Sequence, residues 1–188
     1  MKTLARQRNS IIRSYPENNL ASKTANGRQK PMATHRESRD IARSPGWLFD
    51  IVADVERYPE FLPLIRAAKI VKRHENAYET EQSLALGLMT HRFNSRTVLD
   101  RPRAITVISE DRSFRHFEIR WSFSPLAEDH CHVDFTLDCE ARSLFLIPVI
   151  QVLIMPMATS MVSAFESRAH ALAVAAGCPD ARQASQDN

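Results

Sequence analysis

The sequence DVERYPEFLP, residues 54–63, follows an apolar helical segment and predicts a rigid turn. It contains three large apolar side chains and two prolines: Tyr58, Phe61, Leu62, Pro59 and Pro63. Proline fixes φ and lacks a backbone donor, so this segment suits neither a regular helix nor a strand. Two explanations are open. Either the apolar side chains plug one end of a core, or they form the rim of a cavity.

The residues before this turn predict a strand and then a helix. Thr34–Ala42 has the pattern of a first strand. Ser44 can cap the following helix, and Pro45 suits its first position. The helix has one apolar stripe, formed by Trp47, Leu48, Ile51, Val52 and Val55. Asp50 and Asp54 lie off that stripe, so one helix face is expected to be buried.

The residues after the turn alternate between apolar and polar types over long segments. These segments are 68–74, 78–88, 91–99, 105–109, 117–123 and 131–141. Alternation with a period of two predicts strands that have one buried and one wet face, as in an antiparallel sheet.

The last periodic segment, Ser143 to Ala176, predicts one long helix. Met157, Met161 and Phe165 recur at helical spacing and should face the sheet. Pro148 fits the first turn, whereas Pro156 is expected to kink or break the helix. The whole order predicts an α+β fold, in which a curved antiparallel sheet packs on one long helix.

Length and charge divide the chain into three parts: a basic extension over 1–31, a folded domain over 32–176 and a polar tail over 177–188. The length of 188 residues suits one domain with tails. Residues 1–31 hold seven Lys or Arg and one Glu, a net charge of +6, and the rest of the chain has a net charge of −3. The acidic balance of the domain argues against DNA binding.

Two origins are open for residues 1–31, which we expect to be disordered because they lack periodicity. The first is an upstream start codon with Met32 as the true start, which we favour. The second is a basic arm that contacts anionic lipid, nucleic acid or a targeting receptor. The scarcity of acids is also similar to a transit peptide.

Cysteine and histidine usage predicts neither disulfides nor a metal site. Cys131 and Cys139 on one strand would lie about 27 Å apart, and Cys178 is a third thiol, which fits a reducing compartment. The motif HCH at 130–132 lacks further ligands at a suitable spacing. No nucleophile motif or glycine-rich phosphate loop is present. The apolar run 144–158 is too short to span a bilayer.

Three stretches carry a resemblance to a known family: LFDIVADVERYPEFLP (48–63), WSFSPL (121–126) and MVSAFESRA (161–169). The chain from residue 34 to about 174 resembles the coenzyme Q-binding START-like family, which includes ribosome-association toxins and is grouped with polyketide cyclases and dehydrases. The resemblance implies a helix-grip fold of about seven strands with a hydrophobic cavity. It also implies ubiquinone or a related polyprenyl lipid as a ligand that is carried and not transformed. DRSF (111–114) departs from the family, which usually has a Gly-Pro pair before this Phe.

The predicted ligand-binding residues combine the turn, the inner sheet face and the helix. They are Tyr58, Pro59, Phe61, Leu62, Phe93, Ser95, Thr97, Trp121, Phe135, Met157, Met161 and Phe165. An apolar pocket with a few placed polar groups is the usual form of a small-molecule site. For any single polar residue, burial with a neighbouring partner is the simpler interpretation, and the methionines also suit plain core packing.

The leading hypothesis is a non-enzymatic lipid-binding module that needs no cofactor and supports respiration or quinone biosynthesis. We expect a cytoplasmic protein that contacts the inner membrane peripherally. One alternative is a ribosome-associated regulator of translation, which the charge of 32–188 disfavours. The other is a polyketide cyclase or dehydratase, for which His91 is the best candidate residue.

Overall fold

Seven antiparallel strands form one curved sheet in the computed structural model, which describes residues 32–176. The strands are β1 (Ala33–Ile41), β2 (Ile65–Arg73), β3 (Ala77–Leu86), β4 (Met89–Asp100), β5 (Ala104–Ile108), β6 (Phe114–Ala127) and β7 (His130–Ala141). Their order across the sheet is β1-β7-β6-β5-β4-β3-β2. The chain therefore runs as a meander from β2 to β7, and β1 closes the far edge beside β7.

The alternation in the sequence matches the two faces of the sheet. In β7 every second residue from Cys131 to Ala141 is buried, and the residues between them are partly exposed. Phe135 pairs with Trp121 of β6 on the inner face, and Leu137 pairs with Ile119. Inner side chains therefore stack across neighbouring strands, which is the main contact that stabilises a sheet.

The first helix, α1 (Pro45–Ala53), starts as its sequence predicts. The Ser44 hydroxyl accepts a bond from the Trp47 backbone N–H at 3.4 Å, and Pro45 occupies the first turn. Leu48, Phe49 and Val52 are buried. A 3₁₀ helix (Val55–Glu60) follows directly and contains Pro59. The tighter 3₁₀ winding turns the chain toward β2 within the segment that the prolines make irregular.

The C-terminal helix is continuous but changes its winding. It comprises a 3₁₀ turn (Leu144–Leu146), α2 (Ile147–Val149), a π-helical segment (Ile150–Ile154) and α3 (Met155–Ala175). Pro148 lies in the first turn of α2, and Pro156 lies in the first turn of α3. Proline cannot bond the carbonyl four residues earlier and its ring clashes with that carbonyl. The wide π turn before Pro156 accommodates both effects.

The core lies between the inner sheet face and the C-terminal helix. Leu153, Ile154, Ala158, Val162 and Ala169 are completely buried on the helix side. The α+β fold, the seven strands and the long helix are thus confirmed. The predicted extension (1–31) and tail (177–188) lie outside the described residues, so those domain boundaries stay predictions.

Candidate ligand-binding site

One aromatic cluster joins the turn at 54–63, the sheet and the C-terminal helix. The ring of Phe165 on α3 lies 5.2 Å from the Tyr58 ring, 5.1 Å from the Phe61 ring and 5.1 Å from the Trp121 ring, centroid to centroid. Trp121 also lies 4.7 Å from Phe135. Edge-on contacts at these distances are the favourable geometry for aromatic pairs. Five of the predicted site residues are therefore brought together.

Tyr58 and Leu62 act as a plug in this turn. The Tyr58 hydroxyl donates a 2.5 Å hydrogen bond to the carbonyl of Val52 at the end of α1. Burial raises the pKa of Tyr58 well above its ordinary value, because the phenolate would be desolvated. Leu62 is only 1% exposed and belongs to the core. These two side chains fix the turn against the rest of the fold.

Phe61 and Pro59 have a different position in the same turn. Pro59 is exposed, and Phe61 is half-buried beneath the guanidinium of Arg168, 5.4 Å from the ring centroid. Arg168 also pairs with Glu60. Phe61 therefore lies at the surface end of the aromatic cluster, where a rim residue would lie.

A cleft of about 490 Å³ opens beside Phe61 between α1 and α3. It is lined by Trp47, Asp50, Ile51, Asp54, Arg57, Phe61, Arg168 and Leu172. The indole Nε1 of Trp47 is buried and has no hydrogen-bond partner among residues 32–176. The cleft has an apolar floor and a charged border, in which Arg57 pairs with Asp54 at 3.4 Å.

A small uncharged polar cluster lies on the inner face of β3 and β4. The hydroxyls of Thr80 and Ser95 lie 2.8 Å apart, and the Gln82 side-chain amide donates to both at 3.2 Å. All three residues are buried. Thr97 is buried beside Tyr78, whose hydroxyl donates to the carbonyl of Ala53 at 2.9 Å. The sheet thus presents hydrogen-bonding groups without charge to an otherwise apolar interior.

His91 extends this polar stripe toward the start of β4. Its Nε2 atom is buried and lacks a partner within the described part of the chain. The imidazole stacks on Phe93 at 6.1 Å and meets Phe114 edge-on at 5.8 Å. Burial lowers the pKa of His91, and the nearby Asp111 carboxylate offsets part of that effect. His91 is therefore a neutral hydrogen-bonding group near pH 7.

Buried side chains occupy the interface between the sheet and the helix. Met157 and Met161 are both less than 5% exposed there, and Phe93 packs on Phe117 at 5.5 Å. A larger cleft, about 660 Å³, opens among outward-facing residues of β3 and β4 such as Glu79, Glu81 and Arg96, and its lining also includes Thr80 and Ser95 of the polar cluster. The cavity that the resemblance implies between sheet and helix stays a prediction.

Eight of the twelve predicted ligand-binding residues fall into three groups in the structure. Tyr58, Phe61, Trp121, Phe135 and Phe165 share the first aromatic cluster. Phe93 belongs to a second aromatic cluster, together with His91, Phe114 and Phe117. Ser95 and Thr97 belong to the polar stripe on β3 and β4. Their role in binding stays a prediction.

Two residues of the second aromatic cluster were missing from the predicted set, Phe114 and Phe117, whose rings lie 4.9 Å apart. Their signal was present in the sequence, because Phe117 begins an alternating strand. Only the tertiary structure, in which β6 lies two positions from β4 in the curved sheet, shows that both rings meet Phe93.

His132 at the start of β7 has a structural partner, and the two cysteines of this strand are unbridged. The His132 Nδ1 atom lies 2.5 Å from an Asp40 carboxylate oxygen, and this hydrogen bond raises the pKa of His132. Cys131 and Cys139 are buried free thiols. Among residues 32–176, no group of three or more His, Cys, Asp or Glu side chains is arranged to hold a metal ion.

Sequence comparisons relate this arrangement to known proteins. The family model described as "Polyketide cyclase / dehydrase and lipid transport" matches residues 41–166. The ribosome association toxin RatA of Pseudomonas aeruginosa is 32% identical over 142 residues, which cover 75% of this chain and 99% of the toxin. The mitochondrial coenzyme Q-binding protein coq10 of Schizosaccharomyces pombe is 30% identical over 115 residues, 58% of this chain and 70% of that protein.

Solved structures show the same architecture at lower identity. The Zhui aromatase/cyclase from Streptomyces sp. R1128 superposes with a TM-score of 0.66 at 14% identity, over 74% of this chain and 94% of the cyclase. A START superfamily protein from Mycobacterium smegmatis gives a TM-score of 0.62 at 21% identity, over 74% of this chain and 98% of that protein. At these identities the likeness shows the fold alone.

Proposed function

We propose that this chain binds ubiquinone or a related polyprenyl lipid without transforming it. The chain belongs to the polyketide cyclase/dehydrase and lipid transport family, and to its START-like branch with the coenzyme Q-binding proteins. The ligand would lie between the inner face of β3 and β4 and the C-terminal helix. It would be carried or presented in respiratory electron transport or quinone biosynthesis. The protein would be cytoplasmic and peripheral to the inner membrane.

The uncharged polar stripe on β3 and β4 carries this proposal. A quinone head group offers two carbonyl oxygens, which accept hydrogen bonds but do not need a positive charge. Gln82, Ser95 and neutral His91 can supply donors of that kind. They lie in a wall of aromatic and aliphatic side chains, and a few placed polar groups in an apolar surround fix the orientation of a ligand.

The isoprenoid chain would supply most of the binding free energy. Burial of apolar surface contributes about 25 cal/mol per Å² removed from water. The side chains that fill the interface must move to admit such a chain. Met157 and Met161 are flexible enough to repack, and the π-helical segment Ile150–Ile154 lies on β3. Both features favour an interior that can adapt.

The groups that face the interior favour a protein that carries its ligand without transforming it. The polar cluster is made of hydroxyls and one amide, which do not titrate near pH 7. His91 is the best candidate for acid–base work in the cyclase alternative, and burial lowers its pKa. Full turnover of an aromatic polyketide substrate by a His91→Ala variant would remove that candidate.

Organic extraction of the purified protein, followed by mass spectrometry, tests the proposal. We expect a polyprenyl quinone that copurifies in a fixed ratio to protein. The variant Ser95→Ala should lower that ratio, whereas Asn94→Ala, on the exposed face of the same strand, should not. Protein that copurifies with no lipid, and that takes up none when mixed with ubiquinone, would contradict the proposal.

Ribosome association is the second candidate, favoured by the near-complete coverage of the Pseudomonas aeruginosa toxin. The exposed faces of β2 and β4 carry basic side chains, namely Arg66, Lys69, Lys72, Arg92 and Arg96. Such a strip could contact ribosomal RNA phosphates. Two acids, Glu79 and Glu81, lie on β3 between these strands and weaken the strip.

Cosedimentation with large ribosomal subunits at two salt concentrations tests this candidate. Phosphate contacts release counterions, so genuine binding should fall steeply as salt rises. A charge-reversing pair, Lys69→Glu with Arg96→Glu, should abolish it. Cosedimentation that these substitutions leave unchanged would exclude the strip as the contact surface.

A further inference from the structure

One end of the sheet exposes large apolar side chains on two different elements. Leu88, at the tip of the β3–β4 hairpin, is completely exposed. Phe145 in the 3₁₀ turn that starts the C-terminal helix is 92% exposed, and its neighbour Leu144 is 57% exposed. Isolated surface leucines are ordinary, but exposed apolar groups that lie together mark an interaction surface.

Contacts in the structure place these two elements at the same end of the fold. The His91 ring, three residues from Leu88, meets the Phe114 ring at 5.8 Å. Phe114 pairs with Ala141, three residues before Leu144, and the Arg142 backbone N–H donates to the carbonyl of Ser113 at 3.0 Å. Strand β3 also contacts the π-helical segment. Leu88, Leu144 and Phe145 therefore lie at the same end of the fold, and we call these three side chains the apolar tip.

Basic side chains border the apolar tip on several elements. The sequence has no Asp, Glu, Lys or Arg from 143 to 165 and no acid from 82 to 99. Exposed arginines border the tip on three elements, Arg92 on β4, Arg112 before β6 and Arg142 after β7. Two nearby acids, Glu110 and Asp111, line the outer cleft of the sheet. A third, Glu140, is paired with Arg115 at 3.1 Å.

The helix behind the tip is unusually apolar for a helix that its own protein leaves partly uncovered. The helix Leu144–Ala175 is long and apolar enough to cross a membrane. Only 39% of an apolar stretch of 18 residues within it is buried in the protein. Val152 in the π-helical segment is also 39% exposed. Apolar side chains at the water boundary together with bordering arginines are the composition of an interfacial membrane contact.

We propose that the apolar tip, Leu88 with Leu144 and Phe145, inserts into the surface of a bilayer that contains anionic lipid, while Arg92, Arg112 and Arg142 contact the head groups. This rests on the peripheral membrane location proposed above and names the surface that provides it. The tip lies next to His91 and to the π-helical segment that covers β3. A polyprenyl lipid could thus pass between bilayer and interior without crossing water.

Vesicle cosedimentation of the full chain tests the tip. We expect binding to phosphatidylcholine vesicles that contain phosphatidylglycerol, and several-fold weaker binding to phosphatidylcholine alone. The double variant Leu88→Ser with Phe145→Ser should bind at least tenfold less. The matched control is Leu126→Ser, which removes an equally apolar, 57% exposed side chain on the β6–β7 hairpin. Circular dichroism should show that all variants are folded.

Three outcomes would overturn the proposal. They are no vesicle binding by the unaltered chain, equal binding by the double variant, and an equal loss of binding in Leu126→Ser. Light scattering that shows a dimer abolished by the double variant would assign the tip to self-association instead. Lipid extraction from the same samples separates this proposal from the ligand proposal. Tip-dependent vesicle binding without a bound quinone supports the tip alone, and a bound quinone without vesicle binding supports the ligand alone.

Discussion

Ser95 occupies a position where a hydroxyl is strongly constrained by its surroundings. It lies on the inner face of β4, between the Thr80 hydroxyl and the Gln82 amide, and all three are buried. Polar groups buried in this way cost free energy unless they are bonded to each other. Such a cluster stabilises a single arrangement of the strands and keeps donors available where a ligand could take them over.

The variant Ser95→Ala should lower the free energy of unfolding by about 1–3 kcal/mol, because Thr80 and Gln82 each lose a buried partner. Urea unfolding measures this loss. The exposed neighbour Asn94→Ala should change the value by less than about 0.5 kcal/mol. Equal stability of both variants would mean that the cluster is better solvated than its burial indicates.

His91 should make stability depend on pH. Its pKa in the folded chain is lowered by burial, so between that value and the unfolded value of about 6.5 the unfolded state binds more protons. Stability should therefore fall as pH drops below about 6.5. In the variant His91→Leu this loss should be smaller, whereas His116→Leu, at an exposed position of β6, should keep it. The midpoints of urea unfolding at pH 5 and pH 7 measure this dependence. An equal change in midpoint between the two pH values in wild type and in His91→Leu would refute the role of His91.

At the scale of elements, the turn at 54–63 combines two roles in consecutive residues. Leu62 and the Tyr58 hydroxyl anchor it to the core and to α1, while Phe61 reaches the cleft between α1 and α3. Tyr58 lies within the 3₁₀ helix, whereas Phe61 and Leu62 follow its end, where the backbone leaves helical geometry.

Substitutions in this turn should separate stability from ligand binding. Leu62→Ala should cost about 2–5 kcal/mol of folding free energy, as buried leucines do. Phe61→Ala should cost less and should lower the amount of bound lipid per folded molecule. Thermal unfolding and lipid extraction on the same preparations measure both effects. Unchanged lipid in Phe61→Ala would assign the whole turn to the plug.

The C-terminal helix shows how two prolines shape one element. Pro148 is tolerated in a first turn, as its sequence position predicts. Pro156 was expected to kink or break the helix. The helix instead widens to π winding over Ile150–Ile154 and resumes at Met155. Such wide turns lose ordinary helical bonds and often occur at functional sites. This one lies beside the apolar tip and over β3.

At the scale of the whole molecule, the buried core of residues 32–176 joins the sheet, α1 and the C-terminal helix. Its buried residues run from Ile41 to Ala173. A protein comprising Met32–Ala176 should therefore have a free energy of unfolding within about 0.5 kcal/mol of that of the full chain, as measured by urea unfolding. Loss of stability on removal of residues 1–31 would show that the basic extension contributes to the fold.

Most strands could be predicted from the sequence, because alternation reports directly which face of a strand is buried. β7 was predicted within one residue of its start, and its buried residues were all identified. The set of site residues could be predicted only in part. Phe114 was missed because it precedes the alternating segment, and its contact with His91 depends on how far the β3–β4 hairpin extends past its neighbours.

The sequence by itself determined the elements, their order and their buried faces, since helical and strand periodicity and proline geometry are local properties. It also carried the family resemblance that the comparisons confirm. Only the tertiary structure decided which of Tyr58, Phe61 and Leu62 plugs the core and which reaches a cleft. It alone brought Leu88 and Phe145 to the same end of the fold. Contacts between residues this far apart in the chain depend on strand register and helix packing, which no local pattern encodes.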